Sequence, residues 1–180
     1  MTRIAPTENA ALDISLEDGS ASEWKVPLCR DVWKAKPPCG TGLTARLHAI
    51  VGDEMLFTLP CDAEQVETYR DIDYHGEIVS FKKNGRTYYL RTMSGAICCS
   101  GHPLAEQYLN SRSVDERGGQ IKLDQRRIDG LDSRGVSKDG THWRWVGPLV
   151  GEFAEYKGVD ADAMKYFDAI LDGFCFQPKL

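Results

Sequence analysis

Two adjacent cysteines and a histidine, Cys98, Cys99 and His102, lie in the stretch ICCSGHP (97–103). A thiol just ahead of a helix start has its pKa lowered by the helix dipole, the setting of many reactive cysteines. With a histidine as base, Cys99 would serve a thiol hydrolase or transferase. A nucleophile elbow wants small residues on both sides of the nucleophile. Gly101 meets that demand after Cys99, but Ile97 before it does not. With four histidines in the chain (His48, His75, His102 and His142), a Cys–His pair is easy to assemble and so uninformative. Zinc chemistry would join Cys99 and His102 to Cys29 and Cys39. Structural zinc sites come as two close ligand pairs, and only Cys99 and His102 are close. Packing therefore explains ICCSGHP best, with Cys98 inside, Cys99 partly exposed and His102 beside the helix start. No catalytic residue, metal ligand or cofactor is assigned.

Three further stretches carry residues capable of chemistry. PPCGTG (37–42) has glycines but no following Lys-Ser/Thr, so it reads as a turn and not as a phosphate loop. DIDYHGE (71–77) clusters Asp71, Asp73, His75 and Glu77, enough ligands for a metal, but alternating polar residues also fit an exposed strand face. HWRW (142–145) sets Trp143 and Trp145 on one face of a strand and Arg144 on the other. Trp and Arg are the residues that anchor protein interfaces. Only one face is expected to be buried, so Trp143, Arg144 and Trp145 are the candidate partner-binding residues.

These stretches must be positioned by the rest of a 180-residue chain, a length suited to one domain. The net charge is 22 − 27 = −5, and the basic clusters at 82–83 and 125–127 are short. Phosphate binding needs Lys and Arg, so nucleic acid and anionic membrane surfaces are excluded as partners, and a basic protein is favoured. No apolar run approaches the ~18 residues of a membrane span. The first twenty residues lack an apolar secretion core, which predicts a cytoplasmic chain. The six cysteines are accordingly expected to be mostly reduced thiols.

Along the chain, residues 1–22 read as a loosely held arm, with a short strand at LDISL, ahead of a single domain over 23–180. The proline-rich 24–42 is expected to be irregular. Strands are expected in 43–52 and at EMLFTLP (54–60), and a short helix at CDAEQVETYRDI (61–72) capped by Asp62. Asn84-Gly85 is the favoured pair for a two-residue hairpin turn. It fixes a register in which Lys83 opposes Arg86, Phe81 opposes Tyr88 and Val79 opposes Leu90. One face then carries Val79, Phe81, Tyr88 and Leu90, and the other Ser80, Lys82, Thr87, Tyr89 and Arg91. HPLAEQYLNSR (102–112) reads as a short helix opened by Pro103, QIKLDQRRIDGL (120–131) as a strand, and DSRGVSKDG (132–140) as a polar turn. One or two strands broken at Gly147-Pro148 follow. DADAMKYFDAILDG (160–173) reads as a helix capped by Asp160, with Ala163, Met164, Phe167, Ile170 and Leu171 on its apolar stripe. FCF (174–176) should then be a strand. Runs of consecutive strands with few helices predict an α+β fold: a mainly antiparallel sheet, a few short helices and a C-terminal helix packed on the sheet.

The closing stretch DADAMKYFDAILDGFCF, preceded by GEFAEYKGV, resembles the C-terminal strand–helix–strand of PsbP-like α+β domains. In bacteria that architecture is similar to the adaptor chaperones of contact-dependent secretion systems, which bind effector proteins. The resemblance covers about 30 residues, and it implies a non-enzymatic, protein-binding role. The expected function is a small acidic protein-binding module. It would be an immunity or antitoxin-like protein, or an effector chaperone, whose partner is a basic toxin or a secreted effector. A thiol enzyme using Cys99 with a histidine is the alternative, and a small-molecule or metal-binding regulator is a third reading.

Overall fold

The computed structural model describes residues 22–34, 44–48, 54–60, 62–95, 104–123, 126–148 and 152–177. Eleven strands and three short helices follow in chain order among them: β1 (Ser22–Lys25), α1 (Cys29–Lys34), β2 (Thr44–His48), β3 (Glu54–Thr58), β4 (Ala63–Arg70), β5 (Tyr74–Lys83), β6 (Arg86–Gly95), α2 (Ala105–Leu109), β7 (Ser111–Leu123), β8 (Arg126–Ser137), β9 (His142–Pro148), β10 (Glu152–Val159), α3 (Ala161–Asp172) and β11 (Phe174–Gln177). Eight strands form one sheet in the order β1-β7-β8-β9-β10-β6-β5-β4, and β11-β3-β2 form a second. The fold is therefore mostly β, which corrects the α+β expectation. The large sheet is also mixed, because β1 runs parallel to β7.

The hairpin between β5 and β6 carries the most local information. Asn84 and Gly85 both take positive φ (50° and 75°), and the pairs Lys83–Arg86, Phe81–Tyr88 and Val79–Leu90 form as the turn chemistry requires. Val79, Phe81, Tyr88 and Leu90 are all buried. This inner face of the large sheet is covered by α3 and by the small sheet: α3 lies against β9, β10 and β3, and β2 lies against β5, β6 and β10. Phe167 stands at the centre, with its ring near those of Phe81, Tyr88, Tyr156 and Tyr166. Asp160 caps α3 by accepting a hydrogen bond from the Ala163 N–H (2.9 Å), and it also accepts one from the Tyr88 hydroxyl. Leu104, Leu131, Trp143, Trp145 and Phe153 form a second cluster on the opposite face, beside α2.

Several expectations are corrected. Residues 63–70 are strand β4, not helix. These helix-forming residues lie on an edge strand, and pairing with β5 overrides local propensity. The polar stretch 132–140 is mostly β8, and the turn is confined to 138–141. The segment 24–42 contributes β1 and α1 instead of being irregular over its described part. The expectation of mostly reduced thiols fails for Cys29 and Cys175, which form a disulfide. Ser22 belongs to β1, while LDISL and the arm before Ser22 lie outside the described residues. So do Cys39, Cys61, Cys98, Cys99, His102 and Pro103.

Candidate partner-binding face

Strand β9 carries HWRW, and both of its faces are buried: Trp143 is 3%, Arg144 3% and Trp145 1% exposed. The expectation that one face would be open does not hold, because all three residues are buried. Trp143 lies flat against Gly135, where a Cβ would fall 2.6 Å from the indole, and its Nε1–H donates to Ser111 Oγ (2.7 Å). Trp145 stacks on Phe153, with ring centroids 5.3 Å apart.

Arg144 is on the inner face, beneath the C-terminal end of α3. Nε and Nη2 donate to the two carboxylate oxygens of Asp132 (2.9 and 2.8 Å). Nη2 also reaches Asp172 (2.7 Å), and Nη1 reaches Asp168 (3.2 Å). Asp168 and Asp172 stand in the last turns of α3, where the helix dipole disfavours negative charge and the helix supplies no basic residue. The sheet supplies that cation through Arg144, with Arg134 pairing Asp132 and Asp168 from its own side. Burial pushes the Asp132 carboxyl up, but the hydrogen bonds and charge of Arg144, with help from Arg134, outweigh it and hold the carboxyl below its usual range. Burial pushes the Tyr156 hydroxyl up, and its bond to Asp168 (2.8 Å) pushes it further. Arg144 is thus a docking clamp for α3.

The accessible chemistry lies at the other end of the large sheet. On β4, β5 and β6 the inner face is core around Val79, Phe81, Tyr88 and Leu90 and opens at the end remote from the turn. The outer face carries Tyr69, Tyr74, Ile78, Tyr89 and Arg91, placed together by alternation and by the pairs Ile78–Arg91 and Ser80–Tyr89. Tyr89 is 56% and Tyr74 40% exposed, while Tyr69 and Ile78 are half-buried. Tyr69 lies across Gly76 so that its hydroxyl donates to the Thr92 carbonyl two strands away (2.6 Å). A Cβ at Gly76 would sit 2.5 Å from that hydroxyl, so the glycine keeps the path open. The Tyr69 and Tyr74 rings meet edge to face at 6.2 Å. Arg91 pairs with the buried Glu155 and approaches the Phe153 ring, marking the border between this open face and the tryptophan cluster.

A polar pocket of about 430 Å³ lies at the end of these strands remote from the Asn84-Gly85 turn, lined by Thr68, Arg70, His75, Glu77 and Ser94 among others. No group of three or more His, Cys, Asp or Glu residues among those described is arranged to hold a metal ion. The carboxylates and histidine of DIDYHGE are therefore not gathered into a metal site. Asp71 instead accepts from the Ile72 N–H within the β4–β5 loop (2.7 Å).

Sequence reasoning put Tyr89 and Arg91 on the outer face of the hairpin without marking them as a site. The signal was there, since a tyrosine on the polar side of an alternating hairpin needs a reason. Tyr69 was missed because its segment read as helix. No described helix is long and apolar enough to cross a membrane. No family model, curated protein or solved structure matches the chain.

Proposed function

We propose that this chain is a protein-binding module that receives its partner on the outer face of β4, β5 and β6. The observation that carries this reading is the exposure of Tyr89 and Tyr74 beside Tyr69, Ile78 and Arg91, on strands whose other face packs Val79, Phe81, Tyr88 and Leu90 into the core. Rigid tyrosines and an arginine on a preformed surface are the composition of interface hot spots. The net charge of −5 favours a basic partner through electrostatic steering. An immunity or antitoxin-like protein facing a basic toxin fits this description, as does a chaperone for a secreted effector, the role that the resemblance to PsbP-like domains implies. The cytoplasmic placement expected from the N-terminal residues is not part of the proposal, because the Cys29–Cys175 disulfide argues against it.

The test is co-purification from the source organism with identification by mass spectrometry, followed by binding measurements on Tyr89→Ala and Cys99→Ser. Tyr89→Ala should lose about 30-fold in affinity, the ~2 kcal/mol of a hot spot, with its melting temperature unchanged. Cys99→Ser should bind as the parent does. If Tyr89→Ala binds normally and Cys99→Ser alone abolishes activity, the thiol enzyme replaces this reading.

A further inference from the structure

We infer that the Cys29–Cys175 bond is a solvent-protected crosslink made during folding in an oxidising compartment, and that thiols reach it only after α1 has undocked. The two cysteines are 146 residues apart in sequence, on the first helix and the last strand, and are 1% and 0% exposed. Their surroundings are apolar, formed by Leu56 of β3 and Val32 of α1. α1 has only six residues, too few to be stable as an isolated helix, so it depends on what anchors it. Its anchor is the buried Cys29 linked to β11, which is itself held by four pairs to β3. Disulfides of this kind persist where the redox poise is oxidising and are rare where glutathione and thioredoxin keep thiols reduced.

Reduction requires a thiolate to attack one Sγ and release the other as a thiolate. A second thiol then resolves the mixed disulfide, leaving two cysteine thiols and one oxidised dithiol. The attacking sulfur needs a path to a residue that the fold covers. Opening must therefore precede attack, and the rate of reduction reports the local stability of α1 on β11.

The first measurement takes the protein from its source organism, blocks free thiols in denaturant and digests with trypsin without reduction. The expected product is VPLCR (26–30) joined to YFDAILDGFCFQPK (166–179). Recovery of both peptides in the thiol-blocked form would overturn the compartment. The second measurement follows reduction by dithiothreitol in native buffer and in denaturant. Native reduction should be at least ~10-fold slower, and equal rates would overturn the protection. Cys29→Ser with Cys175→Ser serves as the control: neither linked peptide nor slow phase should remain at these positions.

Discussion

Arg144 answers three carboxylates, and the cost of removing it follows from what would be left behind. Asp132 is mostly buried and Asp168 is partly so, and neither could be fully rehydrated with α3 docked. Arg144→Met should therefore destabilise the protein by about 3–5 kcal/mol, the usual cost of orphaning a buried charge; urea denaturation measures it. The same pairing sets an acid response. The folded-state pKa of Asp132 lies below its unfolded value of about 3.9, so its contribution is fully present above that pH and is lost as pH falls through the folded pKa. Asp132→Asn should flatten the fall in melting temperature below about pH 4. The two kinds of aromatic residue should separate cleanly. Trp143→Ala should cost about 3–5 kcal/mol, because it empties a core site. Tyr89→Ala should change stability by no more than about 0.5 kcal/mol, because its side chain faces solvent. The sequence could name the binding-type residues of HWRW but not their burial: alternation assigns faces, and a strand in mid-sheet can have both faces covered.

The elements divide by whether their information is local. The β5–β6 hairpin was legible because turn chemistry and alternation demand one register, and α3 because its cap, apolar stripe and terminal glycine agree. β4 was not legible. Its residues are helix formers, and only β5, its partner in the sheet, makes them a strand. The β7–β8 ribbon was partly legible, since Ile121 and Leu123 alternate with polar residues. Farther along, Gly118, Gly119, Gly130 and Gly135 break that pattern, and a polar stretch in a long antiparallel pair looks like a turn until its partner is known. At the turn itself, Gly85 tests the local reading. A Cβ there would meet nothing within 4 Å, so any cost of Gly85→Ala is the cost of a left-handed backbone. That cost should be about 1–2 kcal/mol by denaturation, with no change in the hairpin's pairing.

For the whole molecule, sheet order and the disulfide lie beyond what one sequence discloses. Nothing local says that β10 pairs with β6, or that β1 joins β7 in parallel; both pairings join segments far apart in the chain. Cysteine spacing alone does not give connectivity, and pairing Cys29 with Cys175 needs the fold that brings α1 onto β11. Opening that bond by Cys29→Ser with Cys175→Ser should lower stability by about 2–5 kcal/mol, read as a lower denaturation midpoint with the fold retained. The bond also changes how the molecule would bear load. Once β1 has peeled from β7, a pull applied at the two chain ends reaches Cys29 and Cys175 and passes between them, so the polypeptide enclosed by the bond is not drawn out. At about 3.5 Å per extended residue, that shields roughly 500 Å of contour. While the bond is intact that stretch cannot be drawn out; with the sulfur–sulfur bond cut, a load that unfolds the domain would extend it.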